Sequence, residues 1–457
     1  MTSLWQRLLP KIFATTPVQT QPAPTPVASA QTTAPAASQA VNDDTVVLAM
    51  GPRRPLIATD GSIGGFEFRI HRDILNRLGQ RADQRGRSAY VAAVLTSARL
   101  TTQTGRVGFA RLALDWLVHA AGVEVCRGIW VGVEQPANSC DDAQLLEASQ
   151  QVLALRAKGV KVGWEIALLP ELAPDFVLLH QGAQPMGALL ERKAALPAAI
   201  QALPTLVTDV ICLEDLEKAL GQGIHFACGA LAPTNAVSDA REFLPVPPEV
   251  HRVGLLLNQL VTGVETAAIV SGIKSDVGLS FRLLKRLNSA NFAQLKAGAS
   301  IDQAVVMLGR NELYRWLSLL LVQFAGRRKA TSALQEITLW RSRMLELLAL
   351  ENHEASPGQF FTLGLASMLS PMLKISLEDV ATTLNLPVPA RQALLEQAGP
   401  WYDYLLTILQ VESHQLEDSS ALLDRFGGAA RVTQLADDAW SWAHAAEHTN
   451  HEDTHPA

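Results

Sequence analysis

The pattern of the chain changes once, near Pro233, and that change limits the fold more than any other feature. Before it, from residue 45 to about residue 230, short β-rich runs alternate with longer helical patterns. This alternation is the signature of parallel strands joined by crossover helices. The runs are residues 46–50 with 56–58, then 65–70, 107–110, 129–134, 160–165, 176–179, 205–210 and 224–228. Eight strand positions fit a compact closed (β/α)8 barrel better than an open sheet. Helical patterns fill the gaps at 144–158, 185–202 and 213–220, the first with Leu145, Leu146, Val152, Leu153 and Leu155 as its apolar stripe. After Pro233 the alternation stops, and the remainder reads as helices joined by short turns, an all-α second domain. Over residues 276–288, Leu279, Leu283, Leu284 and Leu287 fall on one helical face and Ser280, Arg282, Lys285 and Arg286 on the other. Ser300-Ile-Asp-Gln303 and Ser332-Ala-Leu-Gln335 both read as capping boxes, with Gly309 as a C′ stop after the first. Ser376 reads as an N-cap with acids in its first turn, and Pro389 as the first residue of a further helix.

Size and composition agree with two folded domains. The chain has 457 residues, 48 % of them hydrophobic and 18 % charged, a globular profile rather than a disordered one. Residues 1–44 are the exception: six prolines among Ala, Thr, Gln and Ser leave nothing to bury, so this stretch reads as a disordered tether. Its Leu4–Phe13 part is a short apolar patch with Trp5. The predicted layout is therefore a tether over 1–44, a barrel over 45–240, a helical domain over 244–440 and a disordered, His-rich tail over 441–457. A net charge of −6 argues against a dedicated nucleic-acid binder, and Asp73 and Asp83 dilute the Arg69, Arg72, Arg77, Arg81, Arg85 and Arg87 cluster into a solvated helix face. Four cysteines, Cys126, Cys140, Cys212 and Cys228, show no metal-ligand spacing. With no apolar run of membrane-spanning length and no signal-peptide core, a soluble cytoplasmic protein is expected.

The two halves together resemble the EAL–HDOD signalling proteins of bacteria. The stronger signal is Ser275-Asp-Val-Gly-Leu-Ser-Phe-Arg-Leu-Leu-Lys-Arg-Leu-Asn-Ser-Ala-Asn-Phe292 followed by Ala299-Ser-Ile-Asp-Gln-Ala-Val-Val-Met-Leu-Gly309. Gly358-Gln-Phe-Phe-Thr-Leu-Gly-Leu-Ala-Ser-Met-Leu369 resembles a later HDOD helix. The first half is similar to an EAL barrel in outline, through Gly65-Phe-Glu67, Leu155-Arg-Ala-Lys-Gly-Val-Lys-Val-Gly163, Asp175-Phe-Val177 and Gly223-Ile-His-Phe-Ala-Cys-Gly229. The resemblance implies a degenerate EAL-like (β/α)8 barrel followed by an all-helical HDOD domain.

An active EAL domain hydrolyses cyclic di-GMP with divalent cations held by carboxylates and an amide at the strand ends, and such hard cations need oxygen ligands. By this resemblance Glu67 matches the first ligand, but the family's following Arg falls at His71. The strand that should bring an Asn reads Val107-Gly-Phe-Ala110, and the next offers only Glu134. The expected Asp-Asp pair is Trp164-Glu165, the Lys-x-Asp is Leu178-Leu-His180, the catalytic Glu falls near Thr208, and the final Gln is Cys228. Glu67, Glu134 and Glu165 are thus the remnant of a metal set and are judged insufficient, so no catalytic residue, metal or cofactor is expected. In the HDOD half the place of the His-Asp metal pair of related phosphohydrolases is Ser367-Met368, and His353 reads as a surface histidine. Asp276, Leu283, Asn288, Ser289, Gly309 and Gly364 read as structural signature residues. Trp316, Trp340, Trp401 and Trp440 read as packing residues.

What this implies is a non-catalytic signalling adapter that acts through protein contacts with a sensor kinase, response regulator or cyclase; a homo-oligomer is compatible with this reading. The alternatives are a divergent cyclic di-GMP phosphodiesterase built on Glu67, Glu134 and Glu165, and a metal-free cyclic di-GMP receptor.

Overall fold

The computed structural model describes residues 53–69, 84–136, 140–165, 168–169, 171–229, 243–287, 300–324, 330–413 and 420–454. The tether expected over 1–44, with its Trp5 patch, lies outside them, as do His71, Arg72, Arg77, Arg81, Asn288 and Ser289.

Eight strands close into a barrel in chain order. They are β1 (Arg54–Ala58), β2 (Ile63–Arg69), β3 (Val107–Ala113), β4 (Ile129–Glu134), β5 (Lys161–Trp164), β6 (Val177–His180), β7 (Thr205–Val210) and β8 (Phe226–Gly229). The barrel is not uniformly parallel. Strand β1 runs antiparallel to both β2 and β8, and the other pairings are parallel. Residues 59–62 are too few for a crossover, so β1 and β2 can only form a hairpin. Among the described helices, α1 (Gln84–Thr102), α2 (Asp142–Ala157), α3 (Met186–Ala194), α4 (Ala198–Gln201) and α5 (Leu213–Gly221) belong to the barrel half, together with a 3-10 turn at Leu114–Ala120. The single helix expected over 185–202 is split, because Pro197 cannot continue α3 and instead starts the short turn that follows. On α2, Ala148, Val152 and Leu155 form the buried stripe, while Leu146 and Leu153 are exposed.

The inner face of the barrel is filled rather than hollow. Leu56, Phe109, Trp130, Phe176, Leu178, Leu206 and Cys228 form a cluster separate from the outer core between sheet and helices. Strand alternation places these residues inward, every second position pointing into the lumen.

The second half is all helical: α6 (Pro248–Val261), α7 (Thr266–Lys274), α8 (Val277–Leu287), α9 (Ile301–Gln323), α10 (Thr331–Glu351), α11 (Pro357–Leu373), α12 (Leu377–Thr383), α13 (Val388–Arg391), α14 (Tyr402–Ser413), α15 (Ser420–Arg425) and α16 (Gly428–Thr454). Asp276 caps α8 by accepting from Leu279 N at 3.0 Å, and Leu279 and Leu283 are buried beneath it. The capping box at Ser300 forms, with Gln303 N donating to Ser300 Oγ and Gln303 Oε1 accepting from Ser300 N. Gly309 interrupts α9 at φ 71° and ψ 166°, after which the helix resumes; the expected stop is a kink. The capping box expected at Ser332 is absent, since α10 begins at Thr331 behind Ala330 with no side-chain cap. Gly364 sits where a Cβ would come within 2.4 Å of Ser342 Cα, so α10 and α11 meet backbone to backbone. Of the tail expected over 441–457, residues 441–454 are helical, because α16 continues to Thr454. Trp440 and Ala443 are buried along it.

From Leu48 onward the chain is one compact unit, in which β1 and β2 pack against α10. No described helix is long and apolar enough to cross a membrane.

Candidate functional site

The carboxyl ends of the parallel strands form a charged layer directly above the apolar lumen. One inward step beyond Phe109 on β3 is Arg111, and one beyond Leu178 on β6 is His180; Glu134 closes β4. Because β1 is antiparallel, its first residue, Arg54, arrives at this same end, directly opposite Glu67 in the β1–β2 register. Asp209 on β7 completes the group. It stands in the left-handed region at φ 54°, within the register shift between Val207 and Val210, and this bulge turns its carboxylate toward the mouth.

Arg111 is the hub. Its Nη1 lies 3.1 Å from Glu67 Oε1 and 2.7 Å from Asp209 Oδ2, its Nε donates to Glu134 Oε1 at 2.7 Å, and its Nη2 also pairs with Glu134. Arg54 braces the same carboxylates from the other side, with Nε 3.0 Å from Glu67 Oε2 and Nη1 3.0 Å from Asp209 Oδ1. His180 Nδ1 reaches Asp209 Oδ2 at 3.0 Å from the rim, where its side chain is 54 % exposed. Glu67, Arg54 and Arg111 are buried. Burial opposes the charge of Arg111, yet Glu67, Glu134 and Asp209 outweigh it and hold the guanidinium well above its ordinary range; Arg54 is raised in the same way, burial opposed chiefly by Glu67. The Cys228 thiol is pushed far up by burial and by Glu67, so it stays protonated.

Two of the three predicted remnants therefore meet, and they meet on an arginine. Glu165 does not join them: its side chain is 52 % exposed and pairs with Arg192 of α3. Trp164 faces the outer core, with Arg156 5.7 Å above its ring, so it does not line the mouth. Asp175 is held away from the mouth by Arg156 Nε at 2.9 Å and Val162 N at 2.7 Å. Thr208 is buried and donates to Leu179 O at 3.4 Å.

Arg54, Arg111 and Asp209 escaped the sequence reading. For Arg111 a signal existed, since period-two alternation from Phe109 points it inward once β3 is allowed to run past Ala110. For Asp209 there was none, because a bulge leaves no local composition cue.

This donor set does not fit a pair of divalent cations. Such ions need several oxygen ligands each, and among the described residues the mouth carboxylates of Glu67, Glu134 and Asp209 each already accept from the Arg111 guanidinium. Among the described residues no group of three or more His, Cys, Asp or Glu side chains is placed to hold an ion. In the helical half Ser367 is buried and accepts from Arg341 Nη1 at 3.0 Å, while the same guanidinium makes a two-pronged pair with Glu412 at 2.8 and 2.7 Å. Met368 is buried, and His353 is exposed at φ 56°.

Comparison with known proteins bears on the helical half most directly. The HDOD domain family matches residues 244–377. An uncharacterized protein, YuxH, of Bacillus subtilis is 30 % identical over 152 residues, 33 % of this chain and 37 % of that protein. The cyclic di-GMP phosphodiesterase CdgJ of Vibrio cholerae is 30 % identical over 141 residues, 31 % of this chain and 32 % of that protein. The chain thus spans about a third of the length of these relatives. An EAL domain protein of Listeria monocytogenes aligns with 39 % of this chain and 84 % of its own at 14 % identity and a TM-score of 0.30. The YkuI protein of Bacillus subtilis, which has an EAL domain and was solved with substrate c-di-GMP and calcium, aligns with 57 % of this chain and 72 % of its own at 14 % identity and a TM-score of 0.28.

Proposed function

From a chain whose residues 244–377 form an HDOD domain, we infer a non-catalytic regulator of cyclic di-GMP signalling. It works by contact with other signalling proteins of that network, of the sensor-kinase, response-regulator or cyclase kind. One observation carries the reading: Arg111 stands among Glu67, Glu134 and Asp209, so a fixed internal cation already pairs with each of the carboxylates a metal would need. A guanidinium can hold acids together, but it has no open coordination position and cannot lower the pKa of a bound water as a dication does. The name of the Vibrio cholerae relative supports the choice of network, and the eight-strand barrel beside the HDOD domain is consistent with it.

Purified full-length protein incubated with cyclic di-GMP and Mn2+ or Mg2+ tests the reading. The expected result is no linear dinucleotide above a protein-free control. Metal-dependent turnover that is lost in Glu67→Gln would replace the regulator with a phosphodiesterase.

A further inference from the structure

The hairpin of β1 and β2 has two faces, and each is committed to a different half of the molecule. On β1, Arg54 points into the mouth toward Glu67 and Asp209, while its neighbour Arg53 pairs with Asp437 of α16. On β2, Glu67 points into the mouth, while its neighbour Phe66 meets Trp440 of α16 edge to face at 5.0 Å. The two inward residues are register partners, and Phe66 pairs with Pro55, the residue after Arg54.

The outer face is tied down at several points. Trp440 stacks on Trp340 of α10 at 4.9 Å, and Trp340 Nε1 donates to Ala436 O at 3.1 Å. Arg53 and Arg106 lie over the Phe66 ring at 4.9 and 5.5 Å, and Arg106 makes a two-pronged pair with buried Glu336 of α10 at 3.0 and 2.8 Å. At the hairpin turn, Ala333 N donates to Gly61 O at 2.9 Å. A small cleft beside the strand is lined by Arg54, Pro55, Ile337, Trp340, Glu412 and Trp440, and Arg54 Nη2 is buried without a hydrogen-bond partner among the described residues.

We propose that the β1–β2 hairpin is a conformational coupler, through which a change in the ion cluster at the barrel mouth alters the docking of α10 and α16, and the reverse. A strand cannot shift one face without the other, since adjacent side chains share one backbone. An occupant of the mouth that competes for Glu67 or Asp209 therefore acts on Phe66 and Arg53 as well. The inference holds whether or not the barrel is an enzyme.

Amide hydrogen exchange on the full chain tests it. Asp209→Asn removes one charge from the cluster while keeping a side chain that tolerates the left-handed backbone, and Glu134→Gln is a milder rim change should the first variant fold poorly. Exchange over residues 433–444 of α16 and 331–340 of α10 is expected to speed up about fivefold or more, the usual lower range of coupling between sites. Exchange in α2, which packs on the 3-10 turn Leu114–Ala120 and on β5, is expected to stay within about twofold, as is every segment in the control Glu165→Gln. By reciprocity Asp437→Asn speeds exchange in β7. Unchanged α16 exchange in both mouth variants overturns the coupler, and so does equal acceleration of α2, which would mean global destabilisation.

Discussion

A guanidinium presents its donors in a rigid planar fork, and Arg111 directs that fork at three carboxylates from three different strands. Arg111→Met keeps the bulk and removes the charge, so the buried Glu67 loses one of its guanidinium partners and keeps Arg54. The expected cost is about 3–5 kcal/mol, the usual penalty for stripping one partner from a buried ion pair, read as a lowered urea midpoint. Arg111→Lys recovers only part of it, because a point charge cannot serve three acids at once. Glu165→Gln, on a half-exposed pair with Arg192, is expected to move stability by no more than about 0.5 kcal/mol. At this scale the sequence disclosed the acids and concealed their partner. Glu67 and Glu134 stand in recognisable strand positions, whereas the cation that decides their chemistry lies one residue past the predicted end of β3. Asp209 depends on a backbone bulge that only the closed sheet imposes.

Elements were legible where periodicity was strong. The predicted bounds of β4 and β7 match the observed ones, since each is a run of residues suited to a pleated, buried strand. The direction of β1 was not legible, because it depends on the length of the turn and on where the strand begins. Helix starts were read correctly at Ser300 and Ser376, where a side chain caps, and incorrectly at Ser332, where the helix starts two residues earlier behind Ala330. Gly309→Ala is expected to destabilise by about 1–3 kcal/mol, the cost of a Cβ in a positive-φ, extended-ψ conformation that essentially only glycine adopts. Titration of two barrel histidines adds a pH dependence. His119, hydrogen-bonded to Ser88, is lowered by burial and by Arg87, and His225 by burial and by Lys193 and Lys161. Both take up protons more readily unfolded, so stability falls as pH is lowered through their ordinary value near 6.5, and His119→Gln flattens that slope in urea titrations between about pH 7.5 and 5.5.

For the whole molecule, the two-part layout was visible in the switch from alternating to purely helical patterning, but the way the halves join was not. The join rests on pairs hundreds of residues apart, such as Arg53 with Asp437 and Arg106 with Glu336, and on α16, of which only the part from residue 441 was expected as a tail. Trp440→Ala is expected to cost about 3–5 kcal/mol, as for other buried large-to-small changes. The central claim is electrostatic, and Mn2+ titration calorimetry on the full-length protein near neutral pH tests it most directly. A mouth whose acids Glu67, Glu134 and Asp209 are already paired with Arg111 predicts no saturable heat up to millimolar metal, with or without cyclic di-GMP. Saturable binding of two ions per chain, abolished by Glu67→Gln, would contradict it.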